Sequence, residues 1–94
     1  MFRIDVTSEA QERIRALRRV DAGAVLDAIE THLRFEPDRP SRSRIKRLRG
    51  AQDATFRLRV GDYRVFYDVA EGVVTVITVL HKRETPAFYR KDEP

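Results

Sequence analysis

Thr55-Phe-Arg-Leu-Arg-Val-Gly-Asp-Tyr-Arg-Val-Phe-Tyr-Asp-Val-Ala-Glu-Gly-Val-Val-Thr-Val-Ile-Thr-Val-Leu80 is the stretch that decides the fold. Three β-rich runs, Thr55 to Val60, Tyr63 to Val69 and Val73 to Leu80, are divided by Gly61-Asp62 and Glu71-Gly72, which predicts an antiparallel meander with two tight hairpins. A two-residue loop at Gly61-Asp62 sets Val60 opposite Tyr63, Arg59 opposite Arg64, Leu58 opposite Val65 and Arg57 opposite Phe66. Strand side chains alternate between faces. Phe56, Leu58, Val60, Tyr63, Val65, Tyr67 and Val69 therefore form the expected core face, and Arg57, Arg59, Arg64, Phe66 and Asp68 form the other. Arg59 directly opposite Arg64 is a like-charge pair that costs up to ~1 kcal/mol, a pairing that selection for stability alone would avoid. A second two-residue loop at Glu71-Gly72 would pair Arg64 with Val79 and add Val79, His81 and Arg83 to the polar face. Four arginines and a histidine then converge. Val73 to Leu80 is apolar almost throughout, so a bulge would shift the parity of this second pairing.

Upstream of the meander, Phe2, Ile4 and Val6 alternate with Arg3 and Asp5, the period of a strand with one buried face. Ser8-Glu-Ala-Gln11 reads as a capping box, and Ala10, Ile14 and Leu17 place an apolar stripe on a first helix. Asp21 is positioned to cap a second helix, with Val25, Leu26, Ile29 and Leu33 facing inward and Glu36-Pro37 ending it. Ile45 to Leu48 reads as an extended bridge. Thr85-Pro86 fits an N-cap and first helical position for a short helix from Ala87 to Lys91 carrying Tyr89. The expected class is α+β: an N-terminal strand and helical hairpin packed on an antiparallel meander, closed by a short C-terminal helix.

The chain has 94 residues, 41% of them apolar, 4 glycines and no cysteine. That is material for a single domain over residues 1–94. Disulfides, thiolate metal sites and cysteine nucleophiles are excluded. No run approaches the ~18 apolar residues of a membrane span, and the expected location is the cytoplasm. His32 and His81 have no metal-ligand spacing, and the sequence implies no metal or cofactor. The net charge is +4, and 16 of the 19 basic residues are arginine. Residues 1–38 hold 6 basic and 8 acidic groups, whereas residues 39–94 hold 13 and 7. Within the second part, Arg39-Pro-Ser-Arg-Ser-Arg-Ile-Lys-Arg-Leu-Arg49 carries six cations and no anion. Such a field suits phosphates, and arginine's planar fork grips them bidentately. A cationic face with Phe66 and Tyr89 near it fits single-stranded RNA, whose unstacked bases need planar partners.

The motifs Leu48-Arg-Gly50, Phe56-Arg-Leu-Arg59, Gly61-Asp-Tyr-Arg-Val-Phe-Tyr67 and Val79-Leu-His-Lys-Arg-Glu84, with Tyr89 six residues after Arg83, resemble the RelE branch of the RelE/ParE toxin superfamily over nearly the whole chain. The resemblance implies the toxin of a type II toxin–antitoxin pair. Such a toxin enters the ribosomal A site, cuts mRNA there without a metal, and is covered by a cognate antitoxin. It implies a clamp on phosphate by Arg64, a second catalytic arginine at Arg83, an active-site tyrosine at Tyr89, and paired basic positions at Arg57 and Arg59. The best-known members carry lysines at the last two positions; arginine keeps the charge and loses the transferable proton.

Cleavage by the neighbouring 2′-hydroxyl needs a proton acceptor, neutralisation of the phosphorane and a proton for the departing 5′-oxygen. Arg64 and Arg83 suit the second role. Tyr89 and His81 are the candidates for proton transfer. Arg44, Lys46, Arg47, Arg49 and Lys82, with Arg57 and Arg59, are expected to hold RNA and the ribosome. Two other outcomes stay open. One is a ParE-like toxin that inhibits DNA gyrase and is no nuclease; the other is an inactive relative that only binds antitoxin.

Overall fold

The computed structural model describes residues 1–49 and 54–86. Their elements are β1 (Arg3–Val6), α1 (Ser8–Arg15), α2 (Arg19–Leu33), β2 (Ile45–Arg47), β3 (Phe56–Val60), β4 (Tyr63–Ala70), β5 (Val73–His81) and a 3-10 turn at Lys82–Glu84. The strands form one sheet in the order β1-β5-β4-β3-β2. The meander is present, but the sheet is mixed, because β1 lies parallel to β5 with Arg3 beside Val73 and Val6 beside Val76. The extended bridge is β2, a short antiparallel edge strand with Ile45 opposite Leu58.

Both helices cover one face. Ala10 and Ile14 from α1 and Val25, Ile29 and Leu33 from α2 are buried against Leu58, Val65, Tyr67, Val74 and Val76. Burying each such side chain contributes ~1.5–3 kcal/mol. The stacked rings of Phe56 and Tyr67, 5.6 Å apart, fill the centre. The Tyr67 hydroxyl donates to the Pro37 carbonyl, which fixes the loop that leaves α2. Leu26 departs from its expected inward place and is 47% exposed, because the inward stripe of α2 is narrowed to Val25, Ile29 and Leu33.

The cap of α1 is Thr7 rather than Ser8. Thr7 Oγ1 accepts from the Ala10 amide at 3.1 Å and also donates to the Ile77 carbonyl at 2.8 Å. That second bond ties the helix start to β5 and selects the threonine. At the start of α2, Arg18 is the boundary residue and no side chain caps the helix. Asp21 instead lies inside the first turn and pairs with Arg18 at 3.2 Å.

The first hairpin has the expected register in full, from Val60 opposite Tyr63 to Arg57 opposite Phe66. The second does not. Arg64 lies opposite Leu80, Val65 opposite Val79 and Tyr63 opposite His81; then Phe66 pairs Thr78 while Tyr67 pairs Val76. Ile77 is the extra residue of a bulge, which reverses the face of everything after it. Thr7 holds the carbonyl of that same residue.

The turn residues explain the second hairpin's shape. Glu71 and Gly72 both have positive φ, 51° and 79°, as a type I′ turn demands. Glycine takes this region freely, but glutamate pays ~1–2 kcal/mol there. Glu71→Asn is expected to stabilise the protein by about 0.5–1 kcal/mol, read as a higher urea midpoint at unchanged slope. A lower midpoint would mean that Glu71 makes a compensating contact.

Candidate functional site

The sheet face away from the helices carries Arg57 and Arg59 from β3, with Lys46 of β2 beside Arg57 and Arg64 of β4 beside Arg59. It is not a bare cationic platform. Phe66 is fully buried and joins Ala54 and Leu80 in a second small core, with Leu48 and Ile77 packed on it. Phe66 is therefore unavailable as an exposed stacking ring, contrary to the sequence expectation. The bulge that turned Leu80 onto this face supplies the apolar neighbour that buries it. Arg59 stays exposed and Arg57 is half-buried. The Arg57 Nε and the Thr78 hydroxyl are shielded and have no hydrogen-bond partner among the described residues.

Arg64 escapes its like-charge neighbour by bending to the hairpin end. Its Nη1 donates to the carbonyls of Gly61 and Tyr63, both at 2.9 Å.

The changed parity of β5 relocates two expected site residues. Val79 is in the main core, and His81 faces the helix side beside Tyr63, their rings edge-to-face at 5.4 Å. His81 and Arg83 do not share the polar face with Arg57, Arg59 and Arg64, so the expected convergence of four arginines and a histidine on one face does not occur. His81 and Arg83 line a groove of about 400 Å³ with Arg18, Asp21, Gly61 and Tyr63. Arg64 does not line it, yet its guanidinium is bonded to Gly61, a wall of that groove. The two arginines reach the end of the β3–β4 hairpin from opposite faces of the sheet.

The platform under Arg83 is firmly built. The His81 amide donates to Glu84 Oε1 at 2.7 Å, and Glu84 Oε2 pairs with Arg13 of α1 at 3.3 Å. The Lys82 amide donates to the Asp62 carbonyl at 2.7 Å, and its ammonium stands 3.4 Å from the Asp62 carboxylate. The His81 Nδ1 accepts from both the amide and the Nε of Arg83, at 3.2 Å each. In the neutral ring the proton then sits on Nε2, leaving an outward hydrogen-bond donor. Opposite, the Tyr63 hydroxyl donates to Asp21 Oδ2 at 3.3 Å. Burial first, and then the Asp21 carboxylate, push the Tyr63 phenol above its ordinary range.

The cationic stretch is divided among several places. Arg47 lies over the Phe56 ring, 5.4 Å from its centre, a cation–π contact on the helix side of the sheet. Arg44 lines a hollow beside His32, and Arg49 is exposed. Tyr89 and the Ala87 to Lys91 helix lie outside the described residues. Arg18, Asp21 and Tyr63 entered the groove without being singled out from sequence. Asp21 read as a cap and Tyr63 as core, and only the fold places them across from His81.

His32 has its pKa lowered below 6.5, first by desolvation and then by Arg44. The unfolded chain therefore binds the proton first as pH falls. His32 adds no pH dependence above 6.5 and costs stability as the pH drops from there to its folded value. His32→Asn is expected to flatten that part of the stability–pH curve; an unchanged slope would remove His32 from the acid response.

Residues 4–86 match the family profile described as the ParE toxin of the type II toxin–antitoxin system, parDE. No match was found among curated protein sequences. Among solved structures, the RelBE2 toxin–antitoxin complex of Mycobacterium tuberculosis is similar at 27% identity and TM-score 0.73, over 85% of this chain and 96% of that one. An archaeal RelE–RelB complex from Pyrococcus horikoshii is similar in fold, with 24% identity and TM-score 0.70, over 86% of this chain and 94% of that one. A free Escherichia coli RelE toxin with two arginines replaced by alanine has 26% identity and TM-score 0.58, over 97% of this chain and 93% of that one. With an α+β fold shared with the RelE structures and a family profile that spans nearly its whole length, this chain belongs to the ParE toxin family of type II toxin–antitoxin systems, within the RelE/ParE superfamily.

Proposed function

We propose that this toxin is a ribosome-dependent, metal-independent mRNA endonuclease acting in the A site, and that a cognate antitoxin covers its cationic surface. The observation that supports this reading is Arg83 lining an open groove beside His81, with the Arg64 guanidinium bonded to the Gly61 carbonyl at one wall of that groove. An inhibitor acting only by binding has no need to hold a histidine tautomer beside an arginine.

In the reaction the 2′-hydroxyl loses its proton and its oxygen bonds to the adjacent phosphorus. The P–O5′ bond breaks, and the 5′-oxygen takes up a proton. Arg83 and Arg64 neutralise the phosphorane charge, and His81 Nε2–H donates to a non-bridging oxygen. Arg57 and Arg59 cannot exchange protons near neutral pH, so proton transfer falls to Tyr89, the role the family resemblance implies. Lys46, Arg49, Arg59 and Lys82 face the phosphates of mRNA and ribosomal RNA, and the ribosome supplies much of the positioning. The cytoplasm is the compartment where these substrates meet the protein.

The ParE family profile favours a second reading, a gyrase inhibitor without nuclease activity. One paired experiment separates the two: map mRNA ends in a translating extract and assay gyrase with the same preparation. New 5′ ends within A-site codons and an unaffected gyrase support the nuclease. Intact messages with gyrase inhibition support the alternative.

A further inference from the structure

We propose that a hollow at the β2 edge, lined by none of the residues of the His81 and Arg83 groove, binds one nucleotide of single-stranded RNA, with its base stacked on Phe35 and its phosphate on Arg44. The inference rests on the RNA-directed reading above and adds a recognition site that the reaction does not need.

The hollow has a volume of about 350 Å³ and lies between the end of α2 and the loop into β2. That is near the lower end of the ~300–1,000 Å³ of small-molecule sites, room for a nucleotide rather than a large cofactor. Phe35 lines it and is 63% exposed. A phenyl ring left open beside polar groups offers a stacking surface that every base can use. Arg44 lines the same hollow and has no carboxylate partner among the described residues. Arg39 is also present but is neutralised by Glu36 at 2.8 Å. The Ser41 hydroxyl oxygen accepts from the amides of Arg44 and Ile45, at 3.1 and 2.9 Å, which fixes the loop and leaves the hydroxyl proton to donate.

Charge decides how the ligand lies. The hollow adjoins the C-terminal end of α2, whose partial negative charge disfavours an anion deep inside. The uncharged base therefore belongs over Phe35 and the phosphate at the Arg44 lip. Charge also decides the ligand class. The Arg44 carbonyl accepts from the Arg59 amide at 2.8 Å, and Lys46 and Arg57 continue outward on the open sheet face. A strand leaving the hollow meets further cations, whereas a free nucleotide finds no multi-donor cradle for a terminal phosphate.

The test is a titration of the full-length isotope-labelled protein with a pyrimidine tetranucleotide bearing 2′-O-methyl groups, which cannot undergo 2′-hydroxyl attack. Saturable shifts of the Phe35 and His32 ring resonances are expected. Phe35→Ala and Arg44→Ala should each weaken binding about tenfold, the size of one lost stack or charged contact, with unchanged melting because both side chains are exposed. Arg83→Ala should leave the two rings' response intact. Shifts confined to β3 and the groove overturn the proposal, as does saturation by an acidic peptide with no response to the oligonucleotide. Binding needs no cleavage. Intact mRNA in the extract with Phe35 shifts present removes only the nuclease reading, and cut mRNA with Phe35 silent removes only the hollow.

Discussion

Arg83→Ala is expected to slow single-turnover mRNA cleavage on translating ribosomes by about 10²–10³-fold, because one preorganised donor aimed at developing oxyanion charge supplies ~2.7–4 kcal/mol. The loss should be chemical rather than structural. The Arg83 side chain is exposed, and its one hydrogen bond among the described residues goes to the His81 Nδ1. The turn beneath it is held independently by Glu84 with Arg13 and by Lys82 with Asp62. The melting temperature should therefore match wild type. Arg83→Lys restores the charge but not the planar fork, so only partial recovery is expected. Wild-type cleavage by the alanine variant would remove Arg83 from the reaction.

Leu58→Ala is expected to abolish growth arrest by a different route. Leu58 is fully buried in β3, between the helices and the neighbouring strands. Truncating such a side chain costs ~2–5 kcal/mol, and a domain of this size has in all ~5–14 kcal/mol to lose. Urea denaturation should show an unfolding free energy lowered by that amount, read as a lower midpoint at similar slope. If arrest disappears while stability is unchanged, Leu58 has a role that the core does not explain. Side by side, the two variants separate loss of chemistry from loss of fold.

The ease of reading each part from sequence follows from its local pattern. Phe56 to Val65 alternate strictly around Gly61-Asp62, so a one-residue slip would expose the whole core set, and the register was legible. Val73 to Leu80 had no such pattern because β5 is buried on both faces, by the main core on one side and by Phe66 and Ala54 on the other. Nothing local marks Ile77 as the bulged residue; the hydrogen bond its carbonyl accepts comes from Thr7, seventy residues away. The misplacement of His81 and Arg83 followed directly from that parity. The parallel pairing of β1 with β5 is likewise long-range. The cationic character of the site was legible in composition, but its division between the open face, the groove and the β2-edge hollow depends on how β2 and α2 are placed.

The proposed reaction requires Arg64 and Arg83 to reach one phosphate at the hairpin end although they leave the sheet on opposite faces. A double-mutant cycle on single-turnover cleavage, with Arg64→Ala, Arg83→Ala and the pair, tests this directly, given folded proteins of equal melting temperature. If both guanidinium groups neutralise the same phosphorane, the double variant should be much less impaired than the product of the single losses, a coupling of about 1 kcal/mol or more. Losses that multiply in full would place the two arginines at independent sites and contradict the shared clamp.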